Sequence, residues 1–231
     1  MADQSPAGGA PNPGPPPRVA SDSRFPADGS DLLARLVARE PKAFEEVVRK
    51  HGPRMRATAR RLLRSESDAD DCLQNAFLQV FRHIDRFEGR ASLASWLRSI
   101  TANEALMMLR ARRAHPEEDI EPLLPAFLPD GHRAHESPLG SEPLDALVER
   151  EQIAALVRRN IEHLPENHRT VVLLRDIEGF STEEVAKLLD TNENVIKARL
   201  HRARAALKRL LEVSLRGEPR EVDYDALSRR S

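Results

Sequence analysis

The stretch Ser181–Arg209, STEEVAKLLDTNENVIKARLHRARAALKR, constrains this chain more than any other. It encodes two helices and a tight turn. Ser181 followed three positions later by Glu184 is the pairing that satisfies free N–H groups at a helix start. Val185, Leu188 and Leu189 then share one face at helical spacing. The pattern breaks at Asp190-Thr191-Asn192, where Asp and Asn tolerate left-handed backbone and a second N-cap follows at once. The next helix turns Val195, Ile196, Leu200, Ala203 and Leu207 inward and leaves Lys197, Arg199, Arg202, Arg204, Lys208 and Arg209 largely outside. Residues 191–210 hold six Lys or Arg against one acid, Glu193. This is a helix-turn-helix pattern, whose second helix enters the DNA major groove. The plainer alternative is a soluble helix hairpin with a charged outer face. The turn chemistry together with the basic excess favours DNA.

The chain of 231 residues as a whole is helical in character: 32% charged, 4% aromatic, with few runs of strand type. The expected fold class is all-α, two small helical domains joined by a flexible, acidic, Pro-rich linker. Net charge is −1 but strongly segregated: +6 over residues 31–113, −8 over 114–151 and +3 over 152–211. Two basic segments around an acidic one suit two polyanion-facing modules on a joint that a polyanion repels. The expected boundaries are a disordered Pro/Gly-rich tail at 1–30, a first domain at 31–113, a linker at 114–143, a second domain at 144–211 and a charged tail at 212–231.

Several classes are excluded. One cysteine, Cys72, permits neither an internal disulfide framework nor a cysteine-cluster zinc site. His115, His132 and His135 fall in the linker without helical register or a Cys partner, so no metal and no cofactor are expected. No run approaches the ~18 apolar residues of a membrane span, and the N-terminus lacks the basic and apolar regions of a secretory signal. A cytoplasmic location without membrane insertion is therefore expected. No paired carboxylates, nucleophile elbow or phosphate loop stand at telling spacing, so the chain is not expected to be an enzyme.

In the first domain a short helix over Asp31–Val37 precedes one opened by Pro41, with His51-Gly52-Pro53 as a candidate interruption. Ser67-Asp68-Ala69-Asp70-Asp71 makes an acidic helix start, favourable against the positive N-terminal dipole. Leu73, Phe77, Val80, Phe81 and Ile84 form its apolar stripe. Leu78 lies off that stripe, either a core-edge residue or a partner contact. After a break around Gly89, the Leu93–Ile100 helix places Trp96 near Arg90, Arg98 and Asn103. An aromatic among Arg and Asn suits unstacked bases, while a purely core Trp96 is the alternative. In the linker, the apolar run Leu123–Leu128 is a candidate docking segment.

Three stretches together resemble a known family. Asp68–Leu78, DADDCLQNAFL, looks like its "DAEDLVQEVFL" helix. Phe87–Leu97 running on to Asn103-Glu104-Ala105 resembles its "F-G-S-F-WL-I-N-A" segment, and Leu164-Pro165-Glu166 with Val195–Arg204 resembles "LP-R…TVKSRLHRAR". From about Asp31 to Leu211 the chain resembles an extracytoplasmic-function (ECF) sigma factor of the sigma-70 family. The resemblance implies a region 2 domain and a region 4 helix-turn-helix domain (181–204). It implies a promoter-specificity subunit that binds core RNA polymerase at the β′ clamp helices and β flap, directs it to promoter DNA and helps melt the −10 element. Core-binding residues would be Asp68, Asp71, Gln74, Asn75, Leu78 and Gln79. Residues for the −10 strand would be Phe87, Arg90, Ser95, Trp96, Arg98 and Asn103. Those for the −35 element would be Thr191, Asn194, Lys197, Arg199, His201 and Arg202. A regulating anti-sigma partner is implied by the family alone.

The chain departs from the family at Asn192-Glu193-Asn194-Val195, where Pro-x-Gly-Thr is common, and at Ala198, usually Ser. The rival reading is a stand-alone helix-turn-helix regulator whose first domain senses a ligand or dimerises.

Overall fold

The computed structural model describes residues 30–87, 89, 91–112, 119–124 and 147–216. The expected N-terminal tail, most of the expected linker with its three histidines, and most of the C-terminal tail lie outside the described residues. The regular elements are α1 (Ser30–Val37), α2 (Pro41–Leu63), α3 (Glu66–His83), α4 (Leu93–Arg112), α5 (Leu147–Ile161), α6 (Glu166–Val172), α7 (Thr182–Leu188) and α8 (Glu193–Arg216). No strand occurs among the described residues. None of the described helices is long and apolar enough to cross a membrane. The chain divides into two compact units, residues 1–108 and 109–231.

In the first unit α2 and α3 form an antiparallel hairpin. Pro53 lies inside α2 without ending it, although proline removes one ladder bond and crowds the carbonyl four residues back. The expected break at 51–53 does not occur. The helix runs on because Val47, Met55, Ala59, Leu62 and Leu63 keep one face buried through the proline. Left-handed Arg64 (φ 59°) ends α2, and extended Ser65 accepts the Asp68 N–H at 3.3 Å to cap α3. The helix therefore starts at Glu66, one residue before the expected Ser67, because the turn at Arg64 makes Ser65 the first residue able to cap.

The buried face of α3 is Ala69, Cys72, Ala76 and Val80. Small groups at the centre allow close helix approach, and the larger Leu73 and Phe77 sit half-buried at the edge. Phe81, expected in the core stripe, is 48% exposed instead. It is tilted against Phe44 of α2 at 5.0 Å between ring centroids. Its position on the shoulder of the helix, beyond the narrow seam those small residues create, leaves one side open. From α4, Trp96, Leu97 and Ile100 complete the core. Buried Ser99 and Thr101 return their hydroxyls to the carbonyls of Ser95 and Leu97 at 3.0 and 2.9 Å, so neither polar group is stranded.

In the second unit α5, α6 and α7 all pack on α8. Leu174, Phe180, Val171, Val172 and Ile196 are almost fully buried there. The α6 helix widens into a π-turn over Leu173–Ile177, a feature no periodicity announces. Gly179 closes it with φ 73°. Asn160 donates to the Leu156 carbonyl at 2.9 Å and accepts from Ser214 at 3.1 Å, tying α5 to the end of α8.

Candidate nucleic-acid interface

The turn between α7 and α8 is built as its residues dictate. Ser181 accepts the Glu184 N–H at 3.1 Å, and Glu184 reaches back to the Ser181 N–H at 2.6 Å, closing a reciprocal cap. Asp190 takes the left-handed conformation (φ 50°). Asn192 then accepts the Val195 N–H at 3.0 Å and starts α8. With Ile196, Leu200, Ala203, Ala206 and Leu210 buried, helical geometry fixes the opposite face as Asn194, Lys197, Ala198, His201 and Arg202, all exposed. Thr191 and Arg199 are half-buried at its edges.

The cations of α8 are heavily engaged. Lys197 lies 3.4 Å from Glu193 one turn back. Arg204 forks onto Asp176 of the π-turn with bonds of 3.0 and 2.6 Å, which raises its pKa further. Lys208 faces Glu212 at 3.9 Å, and Arg202 meets Glu121 at 2.5 Å. Arg209 donates to the carbonyls of Pro122 and Leu124. A net +5 read along the sequence is thus largely answered within the chain.

In the first unit Asp68, Asp71, Gln74, Asn75, Leu78 and Gln79 share the outer face of α3. Asp71, Gln74, Asn75 and Leu78 are exposed, and Asp68 and Gln79 half-buried. The neighbouring acids are spoken for. Asp70 receives a two-pronged bond from Arg56 at 2.6 and 3.2 Å, which lowers its pKa, and Glu66 pairs with Arg56 and Arg60. Sequence reasoning missed that two large apolar groups stand exposed, Phe81 on α3 and Val48 on α2 (47% exposed). Arg39 lies over the Phe81 ring at 5.3 Å. The signal was present in the surplus of large apolar residues on α2 and α3, more than a seam lined with alanine can cover.

The third group gathers at the start of α4. Phe87 is half-buried and tilted against Trp96 at 5.2 Å, and Trp96 itself is only 5% exposed. In this conformation the indole is wall rather than platform. Ser92 caps α4 through the Ser95 N–H at 3.1 Å, and the Ser95 hydroxyl accepts from that of Ser92 at 3.0 Å. Ser95, Arg98 and Asn103 are half-buried. Arg90 lies outside the described residues. Gly89 takes φ 68°, a left-handed turn that glycine adopts without strain. Among the described residues no group of three or more His, Cys, Asp or Glu could hold a metal ion.

Residues 47–115 match the model of sigma-70 region 2, and residues 154–207 match that of sigma-70 region 4. The ECF RNA polymerase sigma factor SigM of Mycobacterium tuberculosis is 33% identical over 195 residues, covering 84% of this chain and 90% of that protein. The chain belongs to the ECF sigma factors of the sigma-70 family. The RNA polymerase sigma-H factor of Pseudomonas aeruginosa is 30% identical over 186 residues, covering 80% of this chain and 94% of that one. A co-crystal structure of the sigma factor RpoE with the anti-sigma factor NepR from Bartonella quintana is 24% identical with a TM-score of 0.48, covering 74% of this chain and 98% of that one. In this sigma factor the region 4 match spans the capped turn and α8 as far as residue 207, and the region 2 match takes in α3 and α4 whole. The rival reading, a stand-alone regulator, has no comparable relative among these matches.

One buried pair in the sigma factor stands apart from these faces. Burial pushes the Cys72 thiol up to about 12, with the Glu104 carboxylate adding to the rise, and its Sγ approaches the Thr101 carbonyl at 3.7 Å. The thiol stays protonated and is inert at neutral pH. Burial also raises the Glu104 carboxyl.

Proposed function

We propose that this sigma factor divides its work among these three faces. The outer face of α3, Asp68, Asp71, Gln74, Asn75, Leu78 and Gln79, docks on the β′ clamp helices of core polymerase. Half-exposed Leu78 and Phe81 are its apolar anchors, since interface energy concentrates in a few large desolvated side chains. Phe87, Ser95, Arg98 and Asn103, with Arg90 and the Trp96 wall, receive bases of the melted −10 strand. Extrusion of a base costs a few kcal/mol, so a corner offering an aromatic edge, cations and amide groups rewards melting. The exposed face of α8 reads the −35 duplex, with Thr191 and Arg199 at its edges and the second unit also touching the β flap.

The observation that carries this reading is the face itself: Asn194, Lys197, His201 and Arg202 stand together, exposed, just beyond a fully capped helix-turn-helix corner. Side chains there can reach base edges in the major groove. The chain would act in the cytoplasm without catalysis of its own, held in reserve by an anti-sigma protein.

Run-off transcription tests the assignment. Core polymerase with this protein should initiate from promoters recovered by transcript mapping after its overproduction, and core alone should not. Initiation unaffected by Leu78→Glu and by Arg202→Ala would remove the assigned faces.

A further inference from the structure

Within the second unit, the turn Asp119–Leu124 lies against α8. It comes from an acidic, Pro-rich stretch, yet Ile120 and Leu123 are 2% and 3% exposed. The turn is closed internally: Leu123 N–H to the Ile120 carbonyl at 2.9 Å, Leu124 N–H to the Glu121 carbonyl at 3.1 Å, and the Asp119 carboxylate accepting the Glu121 N–H at 3.0 Å. It grips α8 at two arginines seven residues apart, hence on one face. Arg209 donates to the Pro122 and Leu124 carbonyls, and Glu121 pairs with Arg202.

We propose that Asp119–Leu124 is a releasable clip that competes with promoter DNA for Arg202. The inference rests on the reading that Arg202 contacts the −35 duplex. Glu121 presents a carboxylate to the guanidinium that would otherwise meet a base or phosphate, so clip and DNA cannot both hold it. The two parts of the clip differ in strength. The ion pair is about half exposed on both sides and yields easily to competing charge. Ile120 and Leu123 anchor the turn by burial and set how often it lifts. Duplex binding thus carries the cost of displacing the clip. Anything that draws the linker away, the polymerase surface included, would lower that cost.

The test measures binding of the full chain to a fluorescent duplex carrying a mapped promoter, against a scrambled duplex. Glu121→Gln should tighten promoter binding by up to about fivefold, the range of an exposed ion pair. Leu123→Ser, which changes no charge, should tighten it as well. The gain from Glu121→Gln should vanish in an Arg202→Ala background. A gain from Glu121→Gln without one from Leu123→Ser, or one that survives Arg202→Ala, would mean simple charge removal and overturn the clip, as would no gain at all. If Arg202→Ala leaves promoter binding unchanged, the −35 reading of Arg202 fails and the clip falls with it. Loss at Arg202→Ala with no gain at Glu121→Gln leaves that reading standing and sinks only the clip. Thermal unfolding of Leu123→Ser confirms that the variant is folded.

Discussion

The outer face of α3 and the outer face of α8 present opposite problems. On α3 the acids nearest α2, Glu66 and Asp70, are consumed by Arg56 and Arg60, and what remains outward is uncharged polar groups, Asp68, Asp71 and two half-exposed apolar side chains. That face is ready to be covered. On α8 nearly every cation already has an internal partner: Glu193, Asp176, Glu212 or the 119–124 turn. On the proposed reading, that face would have to exchange partners before meeting DNA. Exposed ion pairs stabilise little, so the exchange would be cheap, but it would make the proposed DNA contact conditional where the proposed α3 contact is not. Formal charge along a helix is thus a poor measure of charge available to a ligand.

Substitutions on either face separate the two. The largest effect is expected at Leu78→Glu. A carboxylate placed where an apolar anchor should be desolvated ought to weaken core polymerase binding by about 2 kcal/mol or more, read by titration of labelled protein. Helix content and melting temperature should hardly change, because Leu78 is 46% exposed in the free chain. Unchanged affinity would leave α3 without its contact role. Next is Arg202→Ala, expected to lower promoter use by about 1–3 kcal/mol if the guanidinium reads a base. An equal loss at every −35 sequence would make Arg202 a phosphate contact. Ser181→Ala should cost about 1 kcal/mol of stability through the lost cap. The measurement is thermal unfolding, and an unchanged melting temperature would mean that the reciprocal cap at Ser181 and Glu184 is idle.

Those features differ in how far the residues announced them. The helix-turn-helix was legible because capping residues, a left-handed turn at Asp190 and a clean apolar stripe all speak locally. The core of α3 was half legible: its period was right, but the deepest positions are Ala69, Cys72 and Ala76, which look unremarkable beside Phe77 and Phe81. Helix approach distance, set by those small residues, decides which large groups are covered, and it is a property of two chain segments at once. Pro53 looked like a boundary because local strain is visible in sequence and the tertiary burial that overrides it is not. The partners of the α8 cations were invisible for the same reason. Asp176 is 28 residues from Arg204 and Glu121 is 81 from Arg202, and a π-turn and the 119–124 turn bring them there.

The smallest effect tests the interior rather than either face. Glu104 on α4 is buried, and its folded-state pKa lies above the ordinary 4.5. The folded chain therefore binds this proton more tightly than the unfolded chain. The stabilisation is complete below 4.5 and is lost as pH rises through the folded value, beyond which a buried charge must be carried. Glu104→Gln keeps the shape and removes the titration. Its melting temperature should match that of the parent under acid conditions and exceed it at neutral pH, with the gap opening just above 4.5. The α3 and α8 faces should bind as before. A parent that instead melts above Glu104→Gln at neutral pH, with the two converging in acid, would mean that the Glu104 carboxylate is stabilised as the anion, and that α4 uses it to hold a cation in place.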